Sequence, residues 1–300
     1  MTSRWQIEET VHPTQGDQSL RALLERSWLL PHRFVHYLRV REHVLLNGRY
    51  QPMNTAVTVG DRIDLFFDGD EFRTAESSYR PDPRVIPPVV FENRDLLVIN
   101  KPAGLKAHPN QAGEGGTVLN GVAAYLQDQP QAAAYMVHRL DQATSGAMIV
   151  AKNPVVVPIL DRQLSAGDLH RTYLALVAGH FAQPRGHFTW PIGRDPQDKR
   201  KRQVNGLKAQ PAWTDYRVVG ESGGQSLVEL DLKTGRTHQL RVHLAFSGHP
   251  IVGDPLYNPQ PAPRMMLHAA TQRLRLPFSN QFQQIEVAPP TTFPANLVNL

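Results

Sequence analysis

The spacing of apolar residues divides the chain into two kinds of region. Within the first 80 residues, apolar positions at helical spacing predict two helices: Leu20, Leu23 and Leu24 in the first, then Phe34, Val35 and Leu38 after Pro31. A strand is predicted from Val44 to Leu46, ending at the tight-turn pair Asn47-Gly48, and another from Ile63 to Phe67 after Gly60-Asp61. This part is therefore expected to form a small α/β module.

After residue 88, apolar runs of strand length dominate, with many turns between them. Four strands are predicted, at Ala147–Ala151, Thr172–Val177, Leu227–Leu232 and Gln284–Val287. Only Thr117–Leu126 and Thr237–Phe246 have the pattern of helices. Because strands and helices do not alternate regularly, we expect an α+β fold with a mixed, largely antiparallel sheet.

A proline-rich segment separates these regions. Pro81, Pro83, Pro87 and Pro88 favour an extended, semi-rigid connector, since proline suits neither a helix interior nor a central strand. We therefore predict one domain at residues 1–80, a linker at 81–88 and a second domain at 89–300.

Composition narrows the classes of protein. The 300 residues include no cysteine, which excludes disulfides, thiolate catalysis and zinc–thiolate sites. No apolar run approaches the roughly 18 residues of a membrane span, and the first ten residues lack a signal-peptide hydrophobic region. We expect a cytoplasmic protein with no membrane association and no obligate protein partner.

The distribution of charge predicts a polyanionic partner. The net charge is +5, and residues 81–300 hold 22 Lys and Arg against 16 Asp and Glu. Residues 21–49 hold six arginines against two glutamates, a pattern that suits a phosphate-tracking surface but also an ordinary solvated helix face. The run Asp198–Arg202 is the densest basic cluster, and either an RNA-gripping loop or a solvated loop would explain it.

The segment HRLDQATSG, residues 138–146, places Asp141 between a basic dipeptide and a Thr-Ser-Gly turn. The apolar run that follows would anchor this carboxylate firmly. Two interpretations are open from spacing alone: Asp141 is a reactive group, or it caps the turn and pairs with Arg139.

This segment resembles the active-site loop of the RluA-type pseudouridine synthases, His-Arg-Leu-Asp, two variable residues, then Thr-Ser-Gly. Further stretches are similar to other motifs of the family and cover roughly residues 89–290: FENRDLLVINKPAGLKAHP, HRTYLALVAG, LKTGRTHQLRVHLAFSGHPIVGDPLY and Met266-Leu267-His268-Ala269. The first domain resembles an S4-type RNA-binding module. This resemblance implies an RNA-modifying enzyme whose reaction needs no cofactor or metal.

The resemblance also implies roles for individual residues. Asp141 would be the catalytic residue, Tyr173 would stack on or hydrogen-bond the target uracil, and an arginine would pair with Asp141. Arg236 is the first choice for that arginine, with Arg241 as the second. Residues expected to contact the substrate are His138, Arg139, Thr144, Lys101 and Arg241. Three roles suit the carboxylate: attack at C1′, attack on the base, or removal of a proton.

Two alternative functions belong to other classes of protein. A catalytically inactive RNA-binding or ribosome-assembly factor could use the same scaffold, although it would not need Asp141, Tyr173 and an arginine together. A metal-dependent phosphodiesterase is disfavoured, since the histidines of the C-terminal third lack a metal-binding spacing. The S4-like module favours ribosomal over transfer RNA as the substrate. Gln210-Pro211 interrupts the family pattern near residues 206–216, which concerns the choice of target more than catalysis.

Overall fold

The computed structural model describes residues 5–279 and 281–294. The N-terminal part forms a four-stranded sheet in the order β1-β6-β3-β4, a two-stranded sheet of β2 and β5, and two helices joined by a π-helical turn at Leu23–Ser27. Its elements are β1 (Trp5–Thr10), β2 (Gln18–Ser19), α1 (Leu20–Ala22), α2 (His32–Val40), β3 (Val44–Leu46), β4 (Arg49–Tyr50), β5 (Ala56–Val57) and β6 (Arg62–Phe67).

The remainder of the chain is built on a ten-stranded sheet and a small three-stranded sheet. The elements are β7 (Val89–Glu92), β8 (Leu96–Lys101), α3 (Val118–Leu126), β9 (Tyr135–Met136), β10 (Ser145–Ala151), α4 (Val157–Ala166), β11 (His170–Ala178), β12 (Arg185–Phe188), β13 (Ile192–Arg194), β14 (Arg202–Val204), β15 (Leu207–Gln210), β16 (Thr214–Ser222), β17 (Gln225–Leu232), α5 (Gln239–Phe246), β18 (Leu267–Arg275) and β19 (Phe282–Glu286).

The large sheet runs β12-β16-β17-β11-β18-β10-β8-β7, with β19 beside β18 and β9 beside β10. Among the described strands of this sheet, β10 and β18 form the one parallel pair, and the other pairs are antiparallel. The predicted α+β class with a mixed, largely antiparallel sheet is confirmed. The central strand β10 is buried along its whole length, which explains why its sequence is apolar after Ser145.

Two apolar cores cover the two faces of this sheet. Alternate residues of β10 point to opposite faces, so Ile149 joins the core shared with α4 and the N-terminal part, while Met148 joins the core beneath α3 and α5. The N-terminal part therefore packs directly on the large sheet. Trp28 meets the ring of Phe278 edge-on at 5.5 Å between centroids. Arg162 donates a hydrogen bond to the carbonyl of Leu30 at 3.0 Å.

The proline-rich segment lies against the second part of the chain. Pro83–Val85 forms one 3-10 turn, capped by the side chain of Asp82. Gly121 of α3 leaves room for it, since a Cβ there would lie 2.2 Å from the carbonyl oxygen of Val85. The division of the chain into domains at residues 81–88 stays a prediction.

The predicted strands and helices after residue 88 are confirmed, within one to two residues at each end. Helix α4 was missed, because it begins in a run of three valines, residues 155–157, followed by Pro158, a composition typical of a strand or loop. The helix forms because Pro158 lies in its first turn, where no amide donor is needed, and Gly167 ends it in the left-handed conformation (φ +78°). No helix within residues 5–279 and 281–294 has the length and apolar content needed to span a bilayer.

Candidate active site

Asp141 lies on the loop between β9 and β10, and both ends of this loop are fixed. The amide of Thr144 donates to the carbonyl of Asp141 at 3.0 Å, which closes a tight turn. On the other side, the amide of Ile149 donates to Nε2 of His138 at 3.1 Å. The carboxylate of Asp141, with 21% of its side-chain surface exposed, is therefore held at the tip of a rigid loop.

A buried lysine joins this loop to the one that follows β8. The ammonium of Lys101 donates to the carbonyls of Pro102, Leu105 and Gln142 at 2.8, 2.8 and 3.1 Å. Gln142 in turn donates through Nε2 to the carbonyl of Gly104 at 2.9 Å. Burial lowers the pKa of Lys101 to about 7, and the negative charge of Asp141 acts in the opposite direction.

The Thr-Ser-Gly turn also fixes β10 against β18. Gly146 has a φ of +109°, and a Cβ there would lie 2.2 Å from the carbonyl oxygen of Ala269, so only glycine fits. The hydroxyl of Ser145 lies 2.9 Å from Nδ1 of His268. It also accepts a hydrogen bond from Arg264 at 2.7 Å. The glycine and serine of this motif thus serve packing, and they carry the loop to the centre of the sheet.

Arg241, on α5, holds the carboxylate of Asp141. Its Nη1 donates to Oδ2 of Asp141 at 3.0 Å, while Nε and Nη2 form a bidentate pair with Asp254, each at 2.7 Å. Asp254 is fully buried and is itself oriented by the amides of Leu256 and Tyr257. A planar guanidinium suits this bridging role because it has donors on two edges.

Arg236, the arginine expected first as the partner of Asp141, does not pair with it; Arg241 does. Arg236 is exposed, and its Nε donates to the carbonyl of Pro211 at 2.9 Å. Gln210-Pro211, the interruption of the family pattern, lies at the end of β15, and Pro211 supplies this carbonyl. The two arginines differ because Arg241 lies on the buried face of α5, whereas Arg236 precedes the helix on the rim of the cleft.

These side chains surround an open cleft with a volume of about 120 Å³. The charged groups that line it are one carboxylate, Asp141, and four arginines: Arg139, Arg171, Arg236 and Arg241. Tyr173, His238 and Thr144 also line the cleft, with Gly235, Thr237 and apolar residues. The excess of positive charge suits an anionic ligand such as a nucleotide, and not a metal ion.

Tyr173 lies on β11 and forms part of the cleft wall. Only 4% of its surface is exposed, and burial raises the pKa of its hydroxyl, an effect that Asp141 strengthens. Within the described residues the hydroxyl forms no hydrogen bond, so it is available to a ligand. The structure brings this predicted residue to the same cleft as Asp141.

The expectation that His138 and Lys101 contact RNA is corrected, because both side chains are buried. The ring of His138 is buried and accepts a hydrogen bond from the backbone of β10, and burial lowers its pKa to about 3. Lys101 is fully buried, with three carbonyls on its ammonium. Both side chains position the Asp141 loop. By contrast, Arg139 is exposed at the rim, where its Nη1 lies 2.8 Å from Nε2 of His108.

Four further residues at the site were given no role from the sequence. His238 approaches Asp141 at 3.7 Å, and its other ring nitrogen lies 2.9 Å from the hydroxyl of Tyr257. The ring of Tyr257 packs beneath the guanidinium of Arg241 at 5.1 Å. Asp254 and Tyr257 belong to the quoted segment GDPLY, so that segment was the available signal. Arg171 lies two residues before Tyr173 in HRTY.

One cluster of acidic side chains lies outside the cleft. Among the described residues, the one group of acidic or histidine side chains close enough to hold a metal is Asp68, Asp70 and Glu71, in the N-terminal part. Arg41 already bonds all three carboxylates. The histidines of the C-terminal third have separate partners, for example Thr214 and the carbonyl of Trp190 for His243.

Comparison with known proteins connects this site to a family. A family model described as RNA pseudouridylate synthase matches residues 95–246, and one described as the RluD ribosomal pseudouridine synthase N-terminal domain matches residues 7–63. An uncharacterized RNA pseudouridine synthase, YhcT of Bacillus subtilis (strain 168), is 36% identical over 98% of this chain and 96% of its own. The ribosomal large subunit pseudouridine synthase D of Escherichia coli (strain K12) is 33% identical, and the match covers 100% of this chain and 94% of the relative.

A solved structure agrees with these sequence matches. The human RNA pseudouridylate synthase domain containing 1 covers 73% of this chain and 89% of its own, with a TM-score of 0.60 and 29% identity. Both the family model for the second part and the full-length relatives support the resemblance drawn from the motifs. The chain belongs to the RluA-type RNA pseudouridine synthases, a family of isomerases, and carries the RluD-type N-terminal domain.

Proposed function

We propose that this protein converts uridine to pseudouridine in large-subunit ribosomal RNA, with Asp141 as its essential residue. The relative from Escherichia coli is named for the ribosomal large subunit and aligns along the whole of this chain. A ribosomal RNA substrate also implies action in the cytoplasm, where ribosomes are assembled in bacteria.

The observation that carries this proposal is the setting of Asp141. Among the described residues that line the cleft it is the one carboxylate, and Arg241 keeps it oriented. A carboxylate held in this position can stabilise positive character at a sugar carbon or act as a nucleophile. Tyr173 supplies an aromatic surface and a free hydroxyl in the same cleft.

The reaction itself is an isomerisation. The N1–C1′ bond of the target uridine breaks, the uracil turns, and C5 bonds to C1′ while the C5 proton leaves to solvent and N1 takes up a proton. The base must leave its stack to enter a cleft of this size. Arg139 and Arg236 are exposed at the rim, a position that suits contact with phosphates near the flipped nucleotide.

The N-terminal part supports binding of a large RNA. Of its six clustered arginines, four are exposed: Arg26, Arg33, Arg39 and Arg49. Arg41 instead neutralises the acidic edge formed by Asp68, Asp70 and Glu71. Because this part packs on the large sheet, RNA bound to the exposed arginines is held in a fixed orientation relative to the cleft.

The test is conversion by the purified wild-type protein. Large-subunit ribosomal RNA from a strain lacking the gene is incubated with the protein, and pseudouridines are mapped before and after. Transfer RNA from the same strain is treated in parallel. Appearance of pseudouridine at a defined position of the ribosomal RNA is expected. Conversion confined to transfer RNA would contradict the substrate, and binding without conversion of either RNA would favour an inactive assembly factor.

A further inference from the structure

Arg171 is a buried cation without an anionic partner at the wall of the cleft. Only 8% of its surface is exposed, and its Nε is buried without an acceptor. Within the described residues its side chain forms no hydrogen bond or ion pair. Burying a guanidinium in this way is costly unless a ligand completes its hydrogen bonds.

The position of this side chain points to the base and not to the RNA backbone. Arg171 and Tyr173 are two residues apart on β11, and both line the cleft. The hydroxyl of Tyr173 feels both Arg171 and Asp141 electrostatically, so both charges lie near it. The exposed arginines that can reach phosphates, Arg139 and Arg236, are at the rim, whereas Arg171 is buried behind it.

A glycine, Gly235, lies beside the guanidinium of Arg171. Its Nη1 and Nη2 both lie 3.4 Å from the position that a Cβ of Gly235 would occupy. Any larger residue at 235 would place atoms against these nitrogens. With glycine at 235, no side chain of this position lies against the two nitrogens.

We propose that Arg171 binds a carbonyl oxygen of the target uracil and stabilises the negative charge that develops on this base, an inference that rests on the proposed function. When the N1–C1′ bond breaks heterolytically, its electron pair stays on uracil and spreads over N1, O2 and O4, while C1′ becomes electron-poor and faces Asp141. A guanidinium has donors only and accepts no hydrogen bond. It therefore fits uracil O4 and opposes cytosine, whose amino group at this position is also a donor.

Single-turnover kinetics test this role. The probe is a large-subunit ribosomal RNA transcript labelled with tritium at C5 of uridine, since the C5 hydrogen is released during the reaction. With Arg171→Met we expect the rate at saturating enzyme to fall by about 100-fold or more, as for loss of a donor to a developing negative charge. The concentration giving half saturation should stay unchanged, because phosphate contacts dominate affinity.

Controls separate the alternatives. Arg171→Lys keeps the charge with a shorter reach and should give an intermediate rate, which also decides the question if Arg171→Met does not fold. Arg217→Met removes an exposed arginine of the same sheet, paired with Glu229 at 2.9 Å, and should match the wild type. Weaker binding with an unchanged saturating rate would identify a phosphate contact and overturn the inference, as would rates equal to wild type for both Arg171 variants. Absence of conversion by the wild type itself would instead overturn the proposed function.

Discussion

Arg241 donates a hydrogen bond to Asp141 at 3.0 Å, although the two residues are 100 positions apart in the sequence. The same guanidinium is fixed from behind by Asp254 and from below by Tyr257. Arg241 thus connects α5 to the loop after β9, and the orientation of the carboxylate depends on both.

Replacement of the two candidate arginines should therefore have different effects. In Arg241→Lys all donors are on one nitrogen, which cannot reproduce the bidentate pair with Asp254 while also holding Asp141, so we expect the saturating conversion rate to fall by about 100-fold. Arg236→Lys keeps a rim charge, and its effect should be confined to a modest increase in the dissociation constant for RNA. Single-turnover rates and RNA binding of both variants check this. A larger loss of rate in Arg236→Lys than in Arg241→Lys would contradict the assigned pairing.

The family motifs predicted the composition of this cleft better than its internal geometry. Asp141 and Tyr173 could be named because each lies in a short contiguous motif whose residues match the family. The choice between Arg236 and Arg241 could not be made in this way, since both occur in one motif, and only the start of α5 decides which of them faces inward. His138 was misjudged for a related reason: its sequence position suits RNA contact, but its ring completes a hydrogen bond with the amide of Ile149.

The contact of the N-terminal part with the large sheet also had no signal in the sequence. Trp28 and Phe278 are separated by most of the chain, and each could have belonged to the core of its own part. Their packing depends on the three-dimensional arrangement of α4, β18 and β19, which local spacing does not specify.

Acid stability should depend on His138. Its folded-state pKa, about 3, is below the ordinary value of about 6.5. As the pH falls from 6.5 toward 3, the unfolded chain takes up a proton that the folded state excludes, so stability is lost by up to about 1.4 kcal/mol per pH unit through this residue. Urea denaturation between pH 7 and 4 should show that the free energy of unfolding declines less steeply for His138→Asn than for the wild type.

The control is His36→Asn, in which an exposed histidine of α2 is replaced and the wild-type decline should be retained. If the free energy of unfolding declined equally with pH in the wild type and in His138→Asn, His138 would not be buried in its neutral form.

Docking of the N-terminal part predicts one cooperative unfolding transition. Trp28 is 1% exposed and packs against Phe278, so Trp28→Ala should lower the free energy of unfolding by about 3–5 kcal/mol. Circular dichroism and tryptophan fluorescence should report the same shifted midpoint. Trp213→Ala removes a tryptophan that is 48% exposed and should change the free energy of unfolding by about 1 kcal/mol or less. Two separate transitions, with only the first shifted by Trp28→Ala, would contradict docking.

The conversion rate of Asp141→Asn tests most directly whether Asp141 is essential for the reaction. This variant keeps the size of the side chain and an oxygen that can accept from Arg241, but removes the negative charge. Asp168→Asn, at an exposed carboxylate near Arg275, serves as the matched control. We expect a fall in single-turnover tritium release of at least about 1,000-fold with unchanged affinity for ribosomal RNA. Conversion by Asp141→Asn at the wild-type rate would show that another group carries out the chemistry.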